Sequence, residues 1–199
     1  MKTFVFDNNY CRSAHDGTKS DNRIQSWYFL PDSALTNTGK PFFIPDFARS
    51  FEAVPTIAVR INRLGKSIAP KFGTRYYSEY APVIHFRAPE LERSLLAANL
   101  SPDPARSFDR SLIMAEFMPL EAGKEVRICM NRNGVESAFF STSMMHASID
   151  ETLSLASRDN TMKMGDIIIP ALPQGAGVEI GDLLELTVDG DIVLSVQIK

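Results

Sequence analysis

The chain has 199 residues, 44% hydrophobic and 23% charged, enough for one domain with a substantial core. Its formal net charge of −3 provides no basic field to hold a nucleic-acid backbone or an anionic membrane, so neither is expected as a partner. Two cysteines are too few for a disulfide framework, no apolar run reaches the roughly 20 residues of a membrane span, and no basic-then-apolar leader opens the sequence, so the cytoplasm is the expected setting.

In chain order, "KTFVF" reads as a short strand running into "DNNYCRSAHDGTKSDNR", a polar segment without period that is expected to be an exposed loop. "WYFLPDSAL" and "PFFIPDF" are short apolar pieces broken by Pro31, Pro41 and Pro45, which suits edge strands and connections. "TIAVRI", from Thr56, and "YAPVIHF", around His85, are strand candidates. Pro89 followed by "ELERSLLAANL" reads as a helix, with Leu91, Leu95 and Leu96 in one apolar stripe, and "SPDPARSFDRS" reads as a loop.

The C-terminal half is more regular. "KEVRICM" alternates, with Cys129 expected as a small buried thiol, and Asn133-Gly134 signals a hairpin. Ser148 and Glu151 stand at capping-box spacing before a helix that turns Leu153 and Ala156 inward. "GDIII" is a strand. "DLLELTV", Asp189-Gly190 and "DIVLSVQI" form a second hairpin, with Ile192, Leu194, Val196 and Ile198 expected on one face. Strands outnumber helices, and the helices are peripheral: the fold class is α+β, strand-dominated.

Familiar catalytic patterns are missing. There is no Ser-His-Asp spacing, phosphate-cradling loop or Cys/His zinc pattern, and Gly175-x-Gly177 is too short for a nucleotide fingerprint. Asp150, Glu151, Asp182 and Glu185 fall at turns or on solvated faces, and "SMM" and "TMKM" suit packing. His146 reads as a packing or capping residue.

The run "NGVESAFFSTSMMHASIDETLSLAS" and, after it, "TMKMGDIIIPALPQGAG" resemble the fumarylacetoacetate hydrolase family, in an Asn-Gly hairpin, a Thr-Ser-x-Met run, a helix and a Gly-Asp strand ending in a glycine-bearing loop. The matching positions are Asn133, Gly134, Thr142, Ser143, Met145, Gly165, Asp166, Pro173, Gly175 and Gly177. Asn9-Tyr10 and "YFLPDSAL" extend the likeness toward the N-terminus, as do Pro41 and Pro45. The resemblance implies a mixed β-roll with peripheral helices, one domain over residues 1–199 with a loop-rich N-terminal stretch over 1–50 and a core over 51–199, and a homodimer. It also implies a divalent Mg²⁺, Mn²⁺ or Ca²⁺ that binds a 2-oxo-carboxylate so that diketo acids are hydrolysed, decarboxylated or isomerised; such hard cations need carboxylate oxygens.

The register of that resemblance places the ligand pair Glu-x-Glu on Val54 and Thr56 and the third ligand, an aspartate, on His85. Strand periodicity puts Glu52, Val54 and Thr56 on one side, so Glu52 can supply a single carboxylate if the strand is shifted by two residues, but the pair is gone. The family lysine becomes Arg106, a candidate clamp for a substrate carboxylate. The general-base histidine falls near Ser13, with His15 two residues on. The family's Thr-Gly-Thr binding loop becomes Pro170, Ala171 and Leu172, which have no polar side chain.

Two readings follow. In the first, the metal site and the catalytic base are lost, no metal is expected, and the protein is non-catalytic or binds a small carboxylate through Arg106, Asn9, Tyr10, Thr56 and His85. In the second, it is an active hydrolase, isomerase or decarboxylase on a diketo acid or a 2-hydroxyhepta-2,4-diene-1,7-dioate-type substrate. A rearranged site using His15, His85 or Glu52, with Mg²⁺ or Mn²⁺ if the site is replaced, would then carry the reaction.

Overall fold

The computed structural model describes residues 1–11, 26–37, 39–121 and 123–199; Ser13 and His15 lie outside the described residues. In chain order the strands and helices are β1 (Thr3–Phe6), β2 (Trp27–Leu30), β3 (Leu35–Asn37), β4 (Phe51–Ile61), β5 (Tyr77–Arg87), α1 (Pro89–Ala97), β6 (Leu112–Met114) and β7 (Met118–Pro119). They continue with β8 (Arg127–Arg132), β9 (Val135–Ser141), α2 (Ile149–Asp159), β10 (Ile167–Ile169), β11 (Ala176–Val178), β12 (Leu183–Val188) and β13 (Asp191–Gln197). The larger sheet runs β2-β1-β10-β4-β5-β6-β3, with β11 added to the start of β4 and β7 to β5; the smaller runs β13-β12-β8-β9. This strand-dominated α+β arrangement agrees with the reading of the sequence.

The long pair β4 and β5 is the centre of the molecule. One face of it, through Ala53, Ile57, Val59, Ile84 and Phe86, packs on Ile128, Met130, Phe140, Leu184, Leu186, Leu194 and Val196 of the smaller sheet. Phe42 stacks flat on Phe86, with ring centroids 3.7 Å apart. The other face, through Val54, Ala58, Ala81 and Val83, meets Val5, Tyr28, Leu30, Leu112 and Ile169. Because both faces are covered, the strands read as apolar runs rather than clean alternations.

The strand expected from Thr56 in fact begins at Phe51 and carries Pro55 in its middle. A proline is admissible there for a specific reason. On that side of β4, β11 pairs with residues 51–53 and β10 with residues 59 and 60, and among the described residues no strand pairs with the stretch between them. The missing N–H falls where no ladder partner requires it.

Both hairpins have the anticipated turns: Asn133, Gly134, Asp189 and Gly190 all have positive φ. The capping box of α2 also forms, with the Ser148 hydroxyl accepting from the Glu151 amide and the Glu151 carboxylate accepting from the Ser148 amide. Four expectations need correction. Ile192 is exposed, because Leu186 pairs Leu194 whereas Thr187 pairs Ile192; the bulge at Val193 reverses the parity of β13. Leu96 is exposed, while Leu91 and Leu95 of the same helix pack on the core. Cys129 is half-buried, since Ile128 and Met130 take the inward positions of β8. Asn9, expected on an exposed loop, is fully buried.

Candidate functional site

Strand pairing builds the site directly. On the face of β4 and β5 away from the smaller sheet, Glu52 pairs Arg87, Val54 pairs His85 and Thr56 pairs Val83. Period two therefore brings Glu52, Val54 and Thr56 to one side, as expected, and lays His85 against Val54. Where the resemblance implies three carboxylates, the structure places a methyl-bearing Val54, the hydroxyl of Thr56 and an imidazole.

The next pair along the strands carries the charge. Arg87 donates from Nε (3.1 Å) and Nη2 (2.6 Å) to Oε1 of Glu52. Both side chains are mostly buried, at 19% and 18% exposure. Burial works against the guanidinium charge, but the charge and hydrogen bonds of Glu52, with smaller contributions from Glu92 and Tyr28, together outweigh it and raise the Arg87 pKa above its usual value. This pair lines a cavity of about 800 Å³ with Asp7, Tyr10, Cys11, Leu172 and Gln174. The sequence does not single out Arg87. Its signal is faint: a basic residue two positions after His85, with its partner 35 residues upstream.

His85 is fully buried. Its Nε2–H donates to the backbone carbonyl of Arg106 at 2.9 Å, which leaves Nδ1 as the bare nitrogen. Burial first, and then the nearby charge of Arg87, push its pKa down to about 3, so the ring is neutral at physiological pH. Arg106 itself is not among the residues that line the cavity. Its guanidinium stacks over Tyr28 at 3.7 Å and pairs with Asp7 at 3.1 Å and Asp103 at 3.2 Å, with Glu92 at 3.7 Å. The carboxylates that claim its charge are the protein's own.

Asn9 and Thr56 hold the loop expected to be stripped of binding groups. Asn9 donates to the carbonyls of Ala147 (2.8 Å) and Pro170 (2.9 Å) and accepts from the Ala147 amide (2.6 Å). Thr56 donates to the carbonyl of Ala171 at 2.6 Å across the gap beside Pro55. Their polar groups are thus spent on Ala147 and on the start of the 170–175 segment, whose later residues line the cavity. Tyr10 faces the cavity with its hydroxyl accepting from the Ser141 amide at 2.9 Å; burial pushes its pKa up to about 12, so it stays protonated.

Gly175 seats that loop. A Cβ there would stand 2.8 Å from the Ala53 carbonyl oxygen and from a Val54 methyl. Gly175→Ala is accordingly expected to lower stability by about 1–2 kcal/mol, as overpacking against backbone does. A thermal melt checks it, and an unchanged melting temperature would show that the loop yields freely.

The donor set can be weighed against a hard cation. Thr56 is committed to Ala171, His85 is a buried neutral imidazole, and Glu52 is bound to a guanidinium that would itself repel a divalent ion. Among the described residues no three His, Cys, Asp or Glu side chains gather as a metal requires. These residues do not fit Mg²⁺ or Mn²⁺. Among the described residues the arrangement supplies a fixed cation, Arg87, whose Nη1 has no hydrogen-bond partner there, at a cavity wall, which suits an anionic ligand.

Comparison with known proteins bears out the family resemblance. The model of the fumarylacetoacetate hydrolase C-terminal family matches residues 2–198. The mitochondrial oxaloacetate tautomerase of Mus musculus is 24% identical over 176 residues, covering 86% of this chain and 80% of that protein. Fumarylpyruvate hydrolase from Pseudomonas aeruginosa, solved with Mn²⁺ and pyruvate, superposes with a TM-score of 0.89 at 19% identity, over 100% of this chain and 89% of that one. The 5-carboxymethyl-2-hydroxymuconate delta-isomerase of Mycobacterium smegmatis gives 0.88 at 20% identity, over 99% of this chain and 78% of that one.

Proposed function

The chain belongs to the fumarylacetoacetate hydrolase family, and we propose that its cavity binds a small carboxylate through Arg87, without a divalent metal. The observation that carries this reading is the Arg87–Glu52 pair at the cavity wall, one strand pair along from the row assigned to the metal ligands. A guanidinium can take over one task of the cation, holding a carboxylate by paired N–H···O bonds. Glu52 fixes its orientation through Nε and Nη2, leaving Nη1 to face a ligand. The 2-oxo acids named for the relatives, oxaloacetate and pyruvate, define the ligand class to try first.

Calorimetric titration with pyruvate, oxaloacetate and fumarate in the presence of EDTA tests the reading. Binding is expected to survive EDTA. Arg87→Gln should weaken it about tenfold or more, the scale of one lost charge-assisted hydrogen bond, and Arg87→Lys should recover some of it. Binding that requires Mg²⁺ or Mn²⁺, or that ignores Arg87, overturns it. The runner-up is an enzyme of the kinds named for the relatives, hydrolase or isomerase on a diketo acid, favoured by the retained cavity. Metal-dependent turnover of an acylpyruvate would establish that reading instead. Homodimerisation belongs to the same proposal, and sedimentation tests it.

A further inference from the structure

The cavity has a second chemical feature besides the Glu52–Arg87 pair. Cys11 lines it, and Cys11 Sγ lies 3.5 Å from Nδ1 of His146. With Sγ–H donating to Nδ1, the ring proton sits on Nε2. The two residues come from distant segments that the backbone clamps together. Cys11 N donates to Met144 O at 3.0 Å, His146 N donates to Asn9 O at 3.2 Å, and Tyr10 and Met145 form an isolated antiparallel bridge between them. The buried Asn9 side chain adds its bonds to Ala147 on the same seam. A cavity-lining thiol is therefore held in hydrogen-bonding range of an imidazole base, and the same cavity is lined by the Arg87 cation.

We propose that Cys11 and His146 form a nucleophile–base pair that adds covalently to carboxylic acids bearing an activated double bond, the 4-oxo-2-enoates, with the carboxylate held by Arg87. This deepens the binding reading and rests on it for the anchor. In the step, the thiol proton passes to Nδ1 of His146 as Sγ forms a bond to C2, the carbon beside the carboxylate and β to the keto group. The π pair moves to C3 and is delocalised into the keto group, and the imidazolium then returns its proton to C3. An S–H bond and a C=C π bond give way to a C–S and a C–H bond. No oxidant, reductant or leaving group is needed.

The test uses 3-benzoylacrylate and its neutral ethyl ester, with labelling followed by mass spectrometry of the intact protein and its peptides; half-buried Cys129 serves as the internal reference. The ester reports on the thiol–imidazole pair alone, and the acid-to-ester ratio reports on Arg87. Cys11 is expected to take up the ester about tenfold faster than Cys129, and His146→Gln should remove that advantage. The acid should react faster than the ester at Cys11, by about tenfold, in wild type and Arg87→Lys but not in Arg87→Gln. Equal ester rates at Cys11 and Cys129 overturn the pair. Equal acid and ester rates at Cys11, with Arg87-dependent fumarate binding still seen by calorimetry in Cys11→Ser, overturn the anchored addition while leaving the binding reading in place. Loss of that calorimetric signal in Cys11→Ser and wild type alike overturns the binding reading itself.

Discussion

Asp166→Ala is expected to lower the stability of the fold by about 3 kcal/mol, the largest effect of any substitution considered, although Asp166 touches no ligand. Its carboxylate is buried and receives the Lys2 amide at 2.8 Å, the Lys163 amide at 2.9 Å and the Lys2 ammonium at 2.6 Å. Those bonds join the first residues of the chain to the turn that launches β10. Truncation would leave the Lys2 and Lys163 amides without their carboxylate acceptor and break the ion pair, while the Lys2 ammonium keeps its bond to the Thr161 carbonyl. Burial raises the Asp166 pKa, but the bonds from Lys2 and Lys163 outweigh it, and the net shift is downward. Stability from this carboxylate is therefore fully present above the ordinary value of 3.8 and lost as pH falls through the lower folded value. Urea unfolding of wild type and Asp166→Asn across that range checks the claim. The gap between them should be constant near neutrality and close in acid; a gap indifferent to pH would exclude the carboxylate as its source.

The second large effect concerns Glu52 and Arg87. Glu52→Gln is expected to cost about 2 kcal/mol, because it leaves a mostly buried guanidinium with a weaker acceptor, and Arg87→Gln about the same in reverse. The double variant should cost less than the two singles added, by about 1–2 kcal/mol, since each single removes an interaction the other needs. Denaturant melts of the four proteins close the cycle. Strict additivity would mean that the pair has no energetic weight, and the cavity cation would then be free to leave its place.

How far the sequence reaches is clear from individual residues. Asn133-Gly134, Asp189-Gly190 and the Ser148–Glu151 box are local signals with local causes, and each appears as expected. Simple alternation misplaces Ile192 because a bulge adds one residue to a period of two, and nothing in "DIVLSVQI" announces it. Pattern alone starts β4 too late because Pro55 reads as a breaker until the gap between β10 and β11 is seen. At the site, the shared side of Glu52, Val54 and Thr56 is legible from strand period, and the lack of a carboxylate at Val54, Thr56 and His85 from the residues themselves. The partner of Glu52 is not, because cross-strand register couples it to Arg87, 35 residues away. The Cys11–His146 contact spans 135 positions and has no sequence signature. Local chemistry is written in the sequence, whereas pairs made by topology emerge only with the sheet.

The placement of β1 sets a timetable for synthesis. Thr3–Phe6 is an interior strand: β2 flanks it on one side, and on the other it runs parallel to β10, with Lys2 bonded to Asp166 at a separation of 164 residues. At about 5–20 residues per second, a ribosome needs roughly ten to thirty seconds to deliver that second neighbour. Throughout that interval the nascent chain carries Phe4, Val5 and Phe6 on a strand with one side open, the kind of edge that invites pairing with other chains. Such long-range closure also slows refolding of the finished protein. Translation speed and chaperone supply, alongside the stability of the completed fold, then bear on how much of this protein reaches its native form in a cell.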